Sequence, residues 1–277
     1  MANYHLWRRR WFYPLISVVV AVSLCLTTPL PGRAIDLLPL LFRGAQIFQL
    51  SNISDRQEVE LGAQMNQQLR SEIRLNRDPQ INRYVEQIGR RIVANSDRPN
   101  LPATFQVVED NAVNAFATAG GFVYVNTGLL KTAENEAELA SVISHEWGHI
   151  SGKHLVKQMQ QKALASGVAT AAGLDRNTAV GIGVELALNR PRSRQDEFDA
   201  DKRGLRTLTR AGYAPSGMVS FMRKLLRSGS SAPTFLSTHP ATSDRINALQ
   251  TAINRQPGNG RDGLDTASYR ANIRPVL

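Results

Sequence analysis

The segment His145-Glu146-Trp147-Gly148-His149 constrains this chain more than any other stretch of it. In an α-helix, residues four apart stand on one face. Two imidazoles so placed can reach one metal ion, and a glutamate beside the first can take a proton from a water on that ion. The flanking sequence supports a helix. Acidic residues gather at its start, from Glu134, where the helix dipole favours them. Leu139, Ala140, Ile143 and Ile150 supply apolar positions along it.

Two ligands leave such a site incomplete, because a catalytic zinc centre uses three protein ligands and an open position. The chain has 5 histidines. His5 lies near the N-terminus, which leaves His154 and His239. His154 follows His149 by five residues, a step that turns about 140° around a continuing helix. It could reach the same ion only if the helix broke, so a residue on the helix surface or one that supports a ligand from behind is the favoured reading of His154. The acidic run from Asp196 to Asp201 offers a better ligand. Asp199 lines up with Arg203 and Arg206 on a solvated face, and Asp196 stands on a mixed one. Glu197 and Asp201 fall in phase with Leu205 and Leu208, the stripe that turns inward. A buried carboxylate needs a partner. Glu197 is therefore expected as the third ligand. Asp201, one turn on, is expected to accept a hydrogen bond from a ligand imidazole.

Cys25 is the only cysteine, and it lies in a segment that reads as a targeting signal. Arg8-Arg9-Arg10 precedes an apolar stretch of 16 residues, Trp11 to Leu26. That is shorter than the roughly 20 residues of a spanning helix. Pro29, Pro31 and Gly32 break it, and Gly32-Arg33-Ala34 fits a cleavage site. Residues 1–34 are read as a secretory signal, with an uncleaved anchor as the alternative. After cleavage the chain has no thiol, so any metal is held by histidine and carboxylate, a donor set that favours zinc. Formal net charge is +10, falling to 29 basic against 23 acidic residues without the signal. No dense basic run with interleaved aromatics follows, so nucleic acid is not expected as a partner. Association with a membrane surface stays open.

The expected architecture is α+β and mostly helical, with a small sheet beside the motif helix. Residues 35–54 read as a linker, 55–256 as the domain and 257–277 as a polar tail without a fold. Helical periodicity marks 55–75 and 78–95. Thr104–Val108 reads as a strand, and Ala119-Gly120-Gly121 as a turn between strands at Asn114–Thr118 and Phe122–Asn126. Residues 163–188 read as short helices in a lid. Helices are also expected over 196–210, 218–226 and 244–253.

His145-Glu146-x-x-His149 combined with Glu197-x-x-x-Asp201 resembles peptidase family M48, the gluzincin type of zinc metallopeptidase. Asn114-Ala115-Phe116-Ala117 with Gly120-Gly121-Phe122-Val123-Tyr124, the run from Asn135 to Ala140, and Thr238-His239-Pro240 with Arg245 are similar to further family segments. Thr118-Ala119 departs from a Leu-Pro pair common there. The resemblance implies a zincin fold and a stand-alone, exported, periplasmic endopeptidase. It implies one Zn²⁺ on His145, His149 and Glu197, with Glu146 as general base. It places His239 near the site, either steadying the oxyanion or capping the zinc; an ordinary loop histidine is the bland alternative. Residues Asn114, Ala115, Phe116, Ala117 and Thr118 would form the sheet edge that receives an extended peptide, which favours unfolded or misassembled envelope proteins as substrates. A metal-binding chaperone or adaptor with a vestigial site is the alternative, and the complete residue set argues against it.

Overall fold

The computed structural model describes residues 47–48, 50–166, 174–189, 192–227, 234–240, 243–255 and 260–277. The expected signal, most of the linker and part of the expected lid lie outside the described residues. Helix α1, Asp55–Glu72, opens with a capping box in which Ser54 and Gln57 each satisfy the other's backbone N–H. Helix α2, Pro79–Ala94, is capped by Asp78, whose carboxylate accepts from the Gln80 and Ile81 amides. Its buried face carries Ile81, Tyr84, Val85, Ile88 and Ile92.

A two-residue strand, β1 (Ile47–Phe48), precedes α1 and pairs antiparallel with a later one, β5 (Leu174–Asp175). The main sheet has three strands in the order β2-β4-β3. These are β2 (Thr104–Val108), β3 (Ala115–Ala117) and β4 (Phe122–Asn126). β4 runs parallel to β2 and antiparallel to β3. β3 is thus an edge strand, as expected, but all three of its residues are buried. Helix α6, Arg176–Asn189, packs against it, within the segment read as a lid.

Between sheet and motif lies a short helix, α3 (Thr127–Thr132), that periodicity did not reveal. The motif helix α4 runs over Glu136–Ser151, two residues later than its first acid, because the Asn135 side chain caps the Glu138 amide. Every residue of α4 from Ala137 to Ile150 is buried. Helix α5 (His154–Ala165) follows almost at once, after Lys153 takes a left-handed φ of 53°. The chain continues with α7 (Arg194–Arg210), α8 (Ser216–Arg227), α9 (Thr234–Thr238) and α10 (Ser243–Arg255). Among the described residues no helix is long and apolar enough to cross a membrane.

The C-terminal residues correct an expectation. Instead of an unstructured tail they form α11, Thr266–Asn272, and a final 3₁₀ turn. Tyr269, Ile273 and Val276 are buried, and the Tyr269 hydroxyl donates to the Leu130 carbonyl at 2.7 Å. Of these three only Tyr269 lies within the helix, too few apolar positions to announce it by periodicity.

The contact that positions the site is the crossing of α4 and α7. A Cβ on Gly148 would stand 2.6 Å from the Ala200 carbonyl oxygen, and one on Gly204 would stand 3.1 Å from the His145 Cα. The two backbones therefore touch without intervening side chains. Gly148→Ala should raise helix propensity by about 1 kcal/mol, yet it forces a methyl into a backbone carbonyl. Overpacking of this kind costs about 1–3 kcal/mol, so a net loss of stability is expected in urea denaturation.

Candidate metal centre

The α4–α7 crossing brings together His145 and His149 from one helix and Glu197 from the other, and His239, just after α9, joins them. One ligand atom from each lies within 4.8 Å of all the others. The Nε2 atoms of His145 and His149 are 3.1 Å apart. Glu197 Oε1 lies 3.3 Å from His149 Nε2 and 3.1 Å from His239 Nδ1, while its Oε2 lies 3.5 Å from His145 Nε2. Glu146 is fully buried, and neither of its oxygens has a hydrogen-bond partner among the described residues. The His239 Nε2 stands 3.5 Å from Glu146 Oε1.

The outer side of each motif imidazole is held differently. His145 Nδ1 lies 3.0 Å from Asp201 Oδ1. Asp201 also takes two bonds from Arg245, both at 2.7 Å, and a third nitrogen of that guanidinium lies 2.6 Å from Glu197 Oε2. His149 Nδ1 meets His154 Nδ1 at 2.8 Å, and His154 Nε2 meets Asp199 Oδ2 at 3.1 Å. A carboxylate only accepts, so His154 carries its proton on Nε2. Burial lowers its pKa against the pull of Asp196 and Asp199, so it is neutral and accepts at Nδ1. His149 must then donate from Nδ1, which leaves a lone pair on its Nε2, facing inward.

Burial drives His149 well below its ordinary 6.5, although Glu197 opposes this. Burial would lower His145 too, but its contacts with Asp201 and Glu197 win and raise it to about 9. Glu197 is held far below the usual carboxylate range, because His239 and the hydrogen bonds of three imidazoles outweigh its burial. Asp201 is lowered because Arg245 and His145 outweigh its burial. With Nδ1 of His145 turned to Asp201, its second proton belongs on Nε2, between the His149 lone pair and Glu197. A single positive charge at this point satisfies the cluster, and a divalent cation is a stronger candidate for it than a proton. The donors fit such a group: imidazole nitrogens and a carboxylate converge, and no thiolate is among them.

The family profile described as Peptidase family M48 matches residues 79–253. The chain belongs to peptidase family M48. Among curated relatives, the beta-barrel assembly-enhancing protease of Escherichia coli (strain K12) is 28% identical over 86% of this chain and 52% of its own length. That of Yersinia pestis is 30% identical over 84% of this chain and 52% of its own length. The metalloprotease LoiP of Escherichia coli (strain K12) is 30% identical over 83% of this chain and 94% of its own length. The chain thus spans about half the length of the beta-barrel assembly-enhancing proteases it matches. The mostly helical fold with a small mixed sheet agrees with M48 membership.

The residues expected at an M48 metal centre from the sequence, His145, His149, Glu197, Asp201 and Glu146, all meet at one place. The edge strand reaches the margin of the cluster, where Ala117 and Thr118 line a small cavity with His149, and Asn114 and Thr118 flank β3. The sequence left His154 as a surface or ligand-supporting residue, and the structure puts it behind His149; helical phase did not reveal the part of Asp199. The phase argument placed Asp199 on a solvated face beside Arg203, and Arg203 Nε does reach it at 2.6 Å. The same oxygen, Oδ2, also meets His154, a contact that depends on the break after α4, whose signal is Gly152-Lys153. The electrostatics give a sign. The folded pKa of His145 exceeds its unfolded value, so its contribution is fully present below pH 6.5 and is lost as pH rises through about 9. Metal-free protein should therefore melt at a lower temperature at pH 9.5 than at pH 6.5 (about three units apart). His145→Gln should flatten that alkaline decline in calorimetry.

Proposed function

We propose that the chain is a zinc-dependent endopeptidase in which His145, His149 and Glu197 hold the metal and Glu146 is the general base. The observation that carries this reading is the convergence of inward-facing imidazole nitrogens and one carboxylate around a point that demands positive charge, with an unpartnered glutamate beside it. With neutral histidines, the buried Glu146, Glu197 and Asp201 outnumber the buried Arg192 and Arg245 by one charge. A divalent cation reverses that excess. When bound, zinc supplies Lewis-acid activation of water and of the peptide carbonyl.

Glu146 takes the proton of the attacking water and delivers it to the leaving amine. Its lack of other hydrogen bonds keeps both oxygens available for the transfer. Asp201 and the His154–Asp199 pair hold the two imidazoles in the tautomer that leaves Nε2 free, and Arg245 fixes Asp201 and Glu197 together. His239 supplies a fourth donor where a catalytic site keeps an open position. In this arrangement it caps the site and holds the enzyme at rest.

The β3 edge receives an extended substrate strand once α6 moves off it, so substrates are unfolded or misassembled chains rather than folded ones. Relatives named for β-barrel assembly support envelope proteins as the class. Export is the matching localisation.

Glu146→Gln should retain metal but lose at least about 10²-fold in casein turnover, and chelator should abolish wild-type activity. Near-normal proteolysis by that variant would overturn the mechanism. In metal analysis, Glu197→Ala should come out empty, whereas Asp201→Ala and His154→Ala should bind about 10–100-fold more weakly. His239→Ala should keep its metal and cleave casein faster than wild type. A slower enzyme would assign His239 to oxyanion support instead.

A further inference from the structure

Arg192 is a buried cation that the mechanism above leaves without a role. It is 5% exposed. Its Nη1 donates to Gln158 Oε1 on α5 at 2.8 Å, and its backbone N–H donates to the Thr238 carbonyl at 2.9 Å, one residue before His239. Its Nε has no hydrogen-bond partner among the described residues. Nor does any described carboxylate lie within ion-pair distance of it. A guanidinium stays charged even where burial lowers its pKa, as happens here. An isolated buried charge is costly, so a fold that keeps one calls for a reason.

Its surroundings suggest that reason. Arg192 lines a small cavity with Ala117 and Thr118 of the β3 edge, Ala119 and the metal-site residue His149. The charges that act on it are those of Glu146, then Glu197, then Asp196. The guanidinium thus shares one cavity with the strand that would carry the peptide and with a residue that would hold the metal. Hydrolysis of an amide puts negative charge on the former carbonyl oxygen as water adds, and a preorganised donor in a dry site stabilises that charge strongly. Gln158 holds one end of the guanidinium in place, while Nε is left free to donate. His239 is the other candidate donor nearby, and its nitrogens already face Glu197 and Glu146.

We propose that Arg192 is a catalytic residue of this enzyme, donating to the carbonyl oxygen of the bound peptide and to the oxyanion formed from it. The inference rests on the endopeptidase reading. Chemically the step is simple. Water adds to the carbonyl carbon, the C=O π pair moves to oxygen, and Glu146 receives the water's proton. Arg192 gives no proton away and only donates hydrogen bonds to the oxygen. The C–N bond then breaks as the pair returns to carbon–oxygen bonding and the amine leaves with the proton from Glu146.

The test compares wild type, Arg192→Ala and Arg192→Lys as full-length protein loaded with zinc. Arg192→Ala should keep its metal content and lose roughly 10²–10³-fold in kcat with a smaller change in KM, as loss of an oxyanion donor does. Added guanidinium ion at sub-denaturing concentration should restore part of the rate to Arg192→Ala and none to wild type. A phosphinic peptide, which mimics the tetrahedral anion, should bind Arg192→Ala more weakly by a similar factor. The uncleaved parent peptide, measured in a Glu146→Gln background, should lose much less affinity. Arg192→Lys, which keeps charge without the planar donor pair, should fall between. Unchanged kcat and phosphinate affinity in Arg192→Ala would overturn the proposal. So would lost metal or folding in both variants without guanidinium rescue, since that marks a purely structural arginine. If wild type itself cleaves no peptide, the endopeptidase reading fails first, and the two failures are told apart.

Discussion

The backbone contact between α4 and α7 is the constraint on which the site depends. Gly148 meets the Ala200 carbonyl, and Gly204 meets His145, with no side chain between them. At this separation Glu197, two turns before Gly204, reaches inward to both imidazoles of α4. A wider spacing would leave Glu197 pointing into an apolar interior, where an unpaired carboxylate is not tolerated. The close crossing and the buried charges therefore require each other. The glycines allow the approach, and the attraction among histidines, Glu197 and Arg245 gives the approach a purpose that apolar packing alone would not. Trp147, on the opposite face of α4, completes the fit by donating to Ser96 Oγ at 2.8 Å.

A site this dry is stable only if its charges are nearly matched. Arg245 does much of that work, because it touches both Asp201 and Glu197 and is 2% exposed. Breaking a buried pair from one side leaves the other charge stranded, which costs several kcal/mol. The same reasoning makes Arg192 conspicuous. Every other buried charge in the neighbourhood has a partner of opposite sign in contact or faces the metal point. Arg192 instead shares a cavity with the β3 edge. A partner that arrives with the substrate is the simplest completion of the charge pattern.

The sequence made the fold legible wherever one element carries its own signal. The strands at Thr104–Val108 and Phe122–Asn126 match to the residue, because β-branched and aromatic residues are bounded by Pro and Gly. The helices α1, α2, α4, α7, α8 and α10 could be read in the same way. What escaped was short or relational. Helix α3 has six residues, and α11 has seven, too few for a period to repeat. The site was legible to the extent that helical phase decides it, which covers His145, His149, Glu197 and Asp201. Arg192 carries no local signal, since its burial is set by α5 and the Thr238 backbone. The covering of β3 by α6 likewise depends on which segments meet in three dimensions.

His154 shows how a correct local argument can leave a role open between two readings. A five-residue step does turn the side chain away from His149 on a continuous helix. The chain breaks instead, with Lys153 in the left-handed region as the residue before α5. That break does not bring His154 to the metal point. It brings it behind His149, against Nδ1, where it passes the pull of Asp199 inward. The two ligand imidazoles thus face different partners. His145 meets a buried carboxylate directly, which raises its affinity for a positive charge. His149 meets a neutral imidazole whose own partner is half exposed, so it stays neutral with its lone pair fixed. One strongly basic and one neutral imidazole, side by side, suit a site that must attract a cation yet keep its nitrogens unprotonated once that cation is bound.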